Sequence, residues 1–287
     1  MATSESIVVT GATGQLGRRV LAALQKVAPT AHLIGLVRDP EKAQDLAATG
    51  VELRTASYDD PAALRAALDG TDRLLLISSS EVGKRTAQHA NVVDAAKAAG
   101  VGFIAYTSLL HADRHGMALA QEHLATEALL RGSGIPHTLL RNGWYSENFT
   151  FSAAQDIQAG QYFGAAGDGR FSAASRQDFA EAAAIVIAGG HQGEVLELAG
   201  DTGFTLAEYA AQLSAAAGKP VAYVDLPETA YRDALVGAGL PAPFAAVLAD
   251  THAKAANGAL QDDGKTLSKL IGRPTTPIAE TIKAELA

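Results

Sequence analysis

An α/β fold built on a doubly wound parallel sheet is predicted by three observations in the 287-residue chain. Apolar runs of strand length alternate with alanine-rich stretches of helical length over the first two-thirds, the pattern of repeated strand-helix-strand units. Those runs are continuously apolar, as buried strands become when helices cover both faces of a sheet. Finally, the turn Gly11-Ala12-Thr13-Gly14-Gln15-Leu16-Gly17 follows the first run directly and opens the first helical stretch, a Rossmann-type beginning.

Taken in order, strands are expected at residues 6–10, 32–37, 51–56, 73–78, 102–108 and 137–142. Helices are expected between them near residues 15–27, 40–49, 60–68, 83–99 and 117–132. Asp39-Pro40 and Asp60-Pro61 each pair a capping carboxylate with a proline at the first helical position. Gly50, Gly70 and Gly100 stop the helices before them. After residue 150 the alternation loosens, with strands at 194–200 and 221–226 among helices near 178–188, 205–217, 228–239 and 276–286. The expected organisation is a nucleotide-binding domain over residues 1–150 and a smaller C-terminal α/β lobe on the substrate side over 151–287, some of whose segments return to the main sheet.

Composition narrows the function classes. A formal charge of −8 and no local basic stripe argue against a nucleic-acid partner. Zero cysteines exclude disulfides, thiolate chemistry and cysteine-ligated metals. The start MATSES has no basic region leading into an apolar core, and the apolar runs are strand-sized, so a cytoplasmic protein without membrane insertion is expected. Homo-oligomerisation is left open.

The glycine turn has a physical use. A helix start leaves unpaired N–H groups carrying partial positive charge, and glycines let a pyrophosphate come close to them. The contacts expected there come from Gly11, Ala12, Thr13, Gly14, Gln15 and Leu16. The spacing GxxGxxG resembles that of extended and atypical short-chain dehydrogenases/reductases, which implies a nicotinamide dinucleotide. At the end of the second strand an acidic residue would read a ribose 2′-hydroxyl and an arginine a 2′-phosphate. Asp39 is engaged in capping, which leaves Arg38, with Lys42 one turn along as a second cation, and NADPH is expected with NADH left open. Later strand ends add Ile77, Ser78, Ser79 and Ser80, then Thr107 and Ser108. Ser57 stands where relatives commonly carry an aspartate for the adenine amine.

The helix after the fifth strand is where short-chain dehydrogenases place a tyrosine and, four residues later, a lysine. Here the helix reads Gln121-Glu122-His123-Leu124-Ala125-Thr126-Glu127, without that couple. His123 and Glu127 are four apart and share a face, so His123 is a candidate general acid whose charged form Glu127 would hold, or else a surface histidine with a glutamate neighbour. His111 and His115 flank the charged loop Ala112-Asp113-Arg114 and read as solvated or positional; no metal is expected. Without an acid, hydride addition to a simple ketone leaves charge on one oxygen and a high barrier. An acceptor that spreads the charge over a ring becoming aromatic needs positioning instead.

Such an acceptor is flat, and the loop leaving the sixth strand, Arg141-Asn142-Gly143-Trp144-Tyr145-Ser146-Glu147-Asn148-Phe149, offers aromatic rings for stacking and amides for carbonyls. Packing between lobes would use the same residues. A second wall is expected from Phe171 to Arg176, with Asp178 capping the helix beyond. Together VTGATGQLG, GLVRDPEKA, LLLISSSEVGKR, FIAYTSLLHAD, LLRNGWYSEN and GAAGDGRFSAASR resemble, along nearly the whole chain, the bacterial NAD(P)H-dependent quinone reductases of the NmrA-like atypical short-chain dehydrogenase family. The resemblance implies two-electron reduction of a planar quinone by NADPH with no catalytic acid. It implies substrate contacts from Asn142 through Glu147, Asn142, Trp144 and Tyr145 among them, to which the second wall adds Phe171. It also implies cofactor contacts from Asn142, Gly143, Tyr145, Ser146, Glu147, Ser175 and Arg176 besides the glycine turn, Arg38 and the Ser78 region. The alternative is a dinucleotide-binding redox sensor of the same family that performs no chemistry.

Overall fold

In the computed structural model, which describes residues 5–287, the first apolar run forms the wholly buried strand β1 (Ser6–Val9), and the glycine turn leads into α1 (Gln15–Val27). There follow β2 (His32–Val37), a 3-10 turn at Pro40–Ala43, α2 (Gln44–Ala47), β3 (Glu52–Thr55), α3 (Pro61–Ala67), β4 (Arg73–Leu76), α4 (Arg85–Ala99), β5 (Phe103–Leu109), α5 (Ala120–Ser133) and β6 (His137–Asn142). The later part comprises α6 (Glu147–Thr150), α7 (Ala153–Ala159), β7 (Gln161–Gly164), β8 (Arg170–Phe171), α8 (Arg176–Ala188), β9 (Val195–Leu198) and β10 (Phe204–Thr205). The chain ends with α9 (Leu206–Ala217), β11 (Ala222–Asp225), α10 (Glu228–Gly237), α11 (Ala242–Ala255), α12 (Thr266–Ile271) and α13 (Ile278–Leu286).

Seven strands form one parallel sheet in the order β3-β2-β1-β4-β5-β6-β9. The order reverses beside β1, so the ligand crevice of such a sheet opens at the carboxyl ends of β1 and β4. The capping chemistry falls where the sequence predicts it. Asp39 accepts from Glu41 N–H at 3.1 Å, and Asp60 accepts from Ala62 and Ala63 N–H at 3.0 and 2.9 Å. Gly100 ends α4 in the left-handed region at φ 73°, a conformation that costs glycine least.

The chain divides into two compact units. Unit 1 takes the residues up to Ser108, then Glu122–Arg141 and Arg176–Leu196. Its core gathers Val8, Ile34, Leu36, Leu64, Leu74, Leu76, Val92, Ile104, Tyr106 and Leu139, contributed by both sheet and helices. The helix expected at 178–188 belongs to this unit and begins at Arg176. Asp178 therefore lies in its first turn, fully buried, and is not the cap.

Unit 2 takes Leu109–Gln121, Asn142–Ser175 and the residues from Glu197 onward. It contains two small ribbons, β7 paired in parallel with β11 and β8 antiparallel to β10. Phe149 packs edge-on against Phe171 at 5.2 Å and Phe204 at 5.1 Å, and the Tyr209 hydroxyl donates to the Phe149 carbonyl at 2.8 Å. Phe171 is thus a fully buried core ring, which corrects its expected place in a substrate wall. Helices α6, α7, α11 and α12 and strands β7, β8 and β10 lie outside the elements expected from sequence.

Candidate active site

The glycine turn is shaped by two close approaches. Gly11 has φ +58°, and a Cβ on Gly17 would stand 2.4 Å from the Gly11 carbonyl oxygen, so α1 packs against the turn only because residue 17 is glycine. Gly14 caps α1 with no side-chain hydrogen bond, and the first turn of the helix holds no acidic residue. Its positive end is left for an anion from outside.

Beside this turn lies a cavity of about 230 Å³, lined wholly by unit 1: Gly11, Thr13 and Gly14, Leu36 to Arg38, Ala56 to Tyr58, Ile77 to Glu81, and Gln88. The Asp39 carboxylate is occupied as expected, by its cap and by Lys42 Nζ at 3.4 Å. Lys42 is thereby turned to Asp39, while the exposed Arg38 stands 3.6 Å from Glu81 Oε1. An uncapped helix start, a cation at the end of β2 and the Ser78 hydroxyl, which is buried with no hydrogen bond, together fit a phosphorylated dinucleotide.

The loop after β4 is braced from beneath by groups the sequence reading passed over. Thr10 Oγ1 accepts from Ile77 N–H at 2.9 Å, and the Tyr58 hydroxyl donates to the Ile77 carbonyl at 2.9 Å. Thr107 Oγ1 accepts from Ser78 N–H at 2.8 Å, so this buried threonine supports the loop. His89 Nε2 accepts from Ser79 N–H at 2.9 Å, and Arg85 Nε donates to the Ser79 carbonyl at 2.6 Å. Because Nε2 accepts, the His89 proton sits on Nδ1, which lies 2.8 Å from Thr126 Oγ1; that hydroxyl in turn donates to the Glu122 carbonyl at 2.9 Å. The signal available in sequence was a histidine and a glutamine, His89 and Gln88, on the buried side of α4.

His123 is buried, with Nδ1 2.9 Å from the Tyr106 hydroxyl and Nε2 3.5 Å from Arg85 Nη1. Burial first, then the charge of Arg85, holds its pKa down at about 3. It is therefore neutral near pH 7. The expected partnership with Glu127 does not form. Glu127 is fully buried and takes Arg141 Nε at 2.9 Å and Nη2 at 2.8 Å, Ser108 Oγ at 2.7 Å and Arg131 Nη1 at 3.4 Å. Glu122 accepts instead from Gly83 and Arg85 N–H, at 3.0 and 3.1 Å, at the start of α4. His111 is buried and not solvated: its N–H donates to Glu197 at 2.8 Å and its Nε2 lies 3.1 Å from Asp262. His115 is exposed.

In unit 2, Asn142 ends β6 at 4% exposure with both side-chain polar atoms lacking a hydrogen-bond partner. A buried amide left so costs stability unless a ligand meets it. Its own carbonyl accepts from Leu110 N–H at 2.9 Å, and Gly143 N–H donates to the Leu198 carbonyl at 2.7 Å, which fixes the start of the loop. Trp144 and Tyr145 are half-buried, and Tyr145 bridges to Ala174. Ser146 N–H donates to the Ala174 carbonyl at 2.9 Å, while its buried hydroxyl has no hydrogen-bond partner. Glu147 opens α6, Ser175 Oγ donates to Thr276 Oγ1 at 3.3 Å, and Arg176 is the first residue of α8 in unit 1.

No helix among the described residues is long and apolar enough to cross a membrane. The family model of NmrA-like proteins matches residues 3–278. The chain is 55% identical to quinone oxidoreductase 2 of Escherichia coli K12 over 277 residues, 96% of this chain and 97% of that one. It is 54% identical in sequence to the crystal structure of the E. coli NADPH-dependent quinone oxidoreductase complexed with NADPH, with a TM-score of 0.95 over 98% of this chain and 100% of that chain. The triphenylmethane reductase of Citrobacter sp., complexed with NADP(H), shares 38% identity and a TM-score of 0.91 over 97% and 99% of the two chains. The chain belongs to the NmrA-like family.

Proposed function

We propose that this chain is an NADPH-dependent quinone reductase. NADPH, when bound, supplies a hydride that a quinone accepts directly, two electrons at once. The observation that carries the reading is a complete nucleotide cradle in a chain whose candidate acid, His123, is buried and neutral. Identity of 55% along nearly the whole length to a protein named as a quinone oxidoreductase supplies the class of acceptor.

The chain's own residues divide the work. The uncapped start of α1 and Gly11 to Leu16 hold the pyrophosphate. Arg38 takes the 2′-phosphate, and the braced Ile77 to Ser79 loop holds the cofactor in one place. Asn142, Gly143, Tyr145, Ser146, Glu147, Ser175 and Arg176 are assigned further cofactor contacts, supported by the partnerless Asn142 amide and Ser146 hydroxyl. Trp144 and Tyr145 offer half-buried rings to a planar acceptor, with Asn142 as a donor to its carbonyl. No side chain among these delivers a proton; the anion left by hydride transfer takes one proton from solvent, which completes the hydroquinone. The cytoplasm is the compartment assigned, where NADPH exchanges freely.

Loss of NADPH absorbance on adding small quinones tests the reading, and steady turnover is expected. The alternative, a dinucleotide-binding sensor without chemistry, would lead if the chain bound NADPH yet turned over none of several quinones.

A further inference from the structure

The nucleotide cavity contains a carboxylate that opposes what the site is to receive. Glu81 directs Oε1 to the Arg38 guanidinium at 3.6 Å and Oε2 to Lys84 Nζ at 3.1 Å. Both Arg38 and Glu81 line the cavity. Arg38 follows β2 and Glu81 follows β4, strands that flank β1 on opposite sides, so the pair reaches across the crevice. Glu81 is held in this position by its own backbone, whose N–H donates to Ser79 Oγ at 3.1 Å. The neighbouring carboxylates are occupied elsewhere: Asp39 caps the next turn and meets Lys42, and Asp59 accepts from Gln88 Nε2 at 3.2 and 3.3 Å. Glu81 is therefore the carboxylate that the structure sets against Arg38.

We propose that Glu81 is a specificity-determining residue of the cofactor site: its carboxylate, set against Arg38, takes the place a 2′-phosphate would take there, and the phosphate must displace it to bind. The proposal rests on the NADPH reading above. A ribose 2′-phosphate carries close to two negative charges, so on reaching Arg38 it both breaks the pair with Glu81 and remains within a few ångströms of a like charge. A ribose with a free 2′-hydroxyl meets neither cost. Glu81 thus weakens NADPH selectively and moderates a preference that Arg38 alone would make steeper. Lys84, already paired to the far oxygen, keeps the displaced carboxylate neutralised and the exchange reversible.

The test is a set of dissociation constants for NADPH and NADH, measured by nucleotide fluorescence in the wild type, Glu81→Gln, Arg38→Ala and the double variant. Adenosine 2′,5′-bisphosphate against 5′-AMP repeats the comparison with no nicotinamide present. In Glu81→Gln the ratio of the NADH to the NADPH constant is expected to rise roughly two- to fivefold, the range expected for one largely exposed charge pair. Glu81→Ala moves the same way, and most of the gain vanishes when Arg38 is already alanine. An unchanged ratio overturns the proposal. So does a fall, which would mean that Glu81 holds Arg38 in its binding pose. A wild-type chain that binds neither cofactor overturns the NADPH reading itself and with it the proposal.

Discussion

Replacing Glu127 by alanine tests what has become of the position where short-chain dehydrogenases keep their lysine. The carboxylate is fully enclosed and receives two hydrogen bonds from Arg141, at 2.9 and 2.8 Å, and one from Ser108 at 2.7 Å. Arg141 is itself only 6% exposed at its side chain, so Glu127→Ala leaves a guanidinium enclosed and deprived of this carboxylate. Removing one partner of a buried pair costs about 3–5 kcal/mol. At about 2–4 °C per kcal/mol for a unit of this size, the thermal midpoint is expected to fall by roughly 6–20 °C. Glu127→Met with Arg141→Met removes both charges and is expected to recover most of the loss, since an apolar pair of similar volume is often no less stable. The assay is urea unfolding followed by circular dichroism, with NADPH–quinone turnover measured on the folded fraction. Turnover per folded molecule should stay within about threefold of wild type, because a structural loss appears in the folded fraction. A Glu127→Ala chain that unfolds within about 1 kcal/mol of wild type yet has lost nearly all turnover would refute the structural assignment.

Four further outcomes follow from the same geometry. His123→Ala is expected to keep most quinone turnover; a variant that binds both ligands normally and has lost nearly all of it would overturn the solvent route for protons. The same burial makes stability depend on pH, since His89 and His123 have folded pKa values of about 4 and about 3, below the ordinary 6.5. The unfolded chain binds more protons below pH 6.5, so stability is full above that value and falls as pH drops toward 4. The two histidines together remove about 3–4 kcal/mol between pH 7 and pH 5, and a flat urea midpoint over that range would contradict it. Arg38→Ala should weaken NADPH by about ten- to a hundredfold and NADH far less, the size of a charge-assisted pair; equal effects on the two would remove the 2′-phosphate assignment. Asn142→Ala should leave the unfolding midpoint nearly unchanged, because its amide has no partner to lose, while raising the apparent Michaelis constant. A large loss of stability with unchanged kinetics would count against its role toward a ligand.

What the sequence showed plainly was local chemistry. The glycine turn, the two Asp-Pro starts and the Gly100 stop each concern residues within a few positions of one another and appear in place, whereas α2 and α3 already reach their C-caps at Ala48 and Leu68, two residues before Gly50 and Gly70. Asp39 was readable as a cap for the same reason: its acceptor bond spans two residues. Non-local partners were not readable. The four-residue spacing of His123 and Glu127 says which face they share but not that Arg141, on a strand, would claim the carboxylate. His111 looked like a loop residue, yet contacts with Glu197 and Asp262, far along the chain, bury it. Phe171 carries the same chemistry whether it stacks on a ligand or on Phe149, and only the fold decides. Strand β7 finds its partner β11, itself expected at 221–226, some sixty residues later, and its four residues are too few to announce it by periodicity.

The position that lacks the tyrosine has acquired a different task. Tyr106 on β5, not a residue of α5, provides the phenol nearest His123, and burial raises the pKa of that hydroxyl well above its ordinary value while His123 is held neutral. Arg85 joins this pair to the Ser79 carbonyl, and His89 joins the Ser79 N–H to Thr126 on α5. The groups that could have moved a proton are instead turned to the loop that lines the nucleotide cavity. A fully satisfied buried network of this kind fixes one geometry, and rigid placement is what a hydride acceptor that spreads its own charge requires. An acceptor that localises its charge on one oxygen needs, beyond that rigidity, an acid or oxyanion donor. Histidines buried and neutral in this way leave the network without an acid, which suits the quinone acceptor proposed above better than a simple ketone.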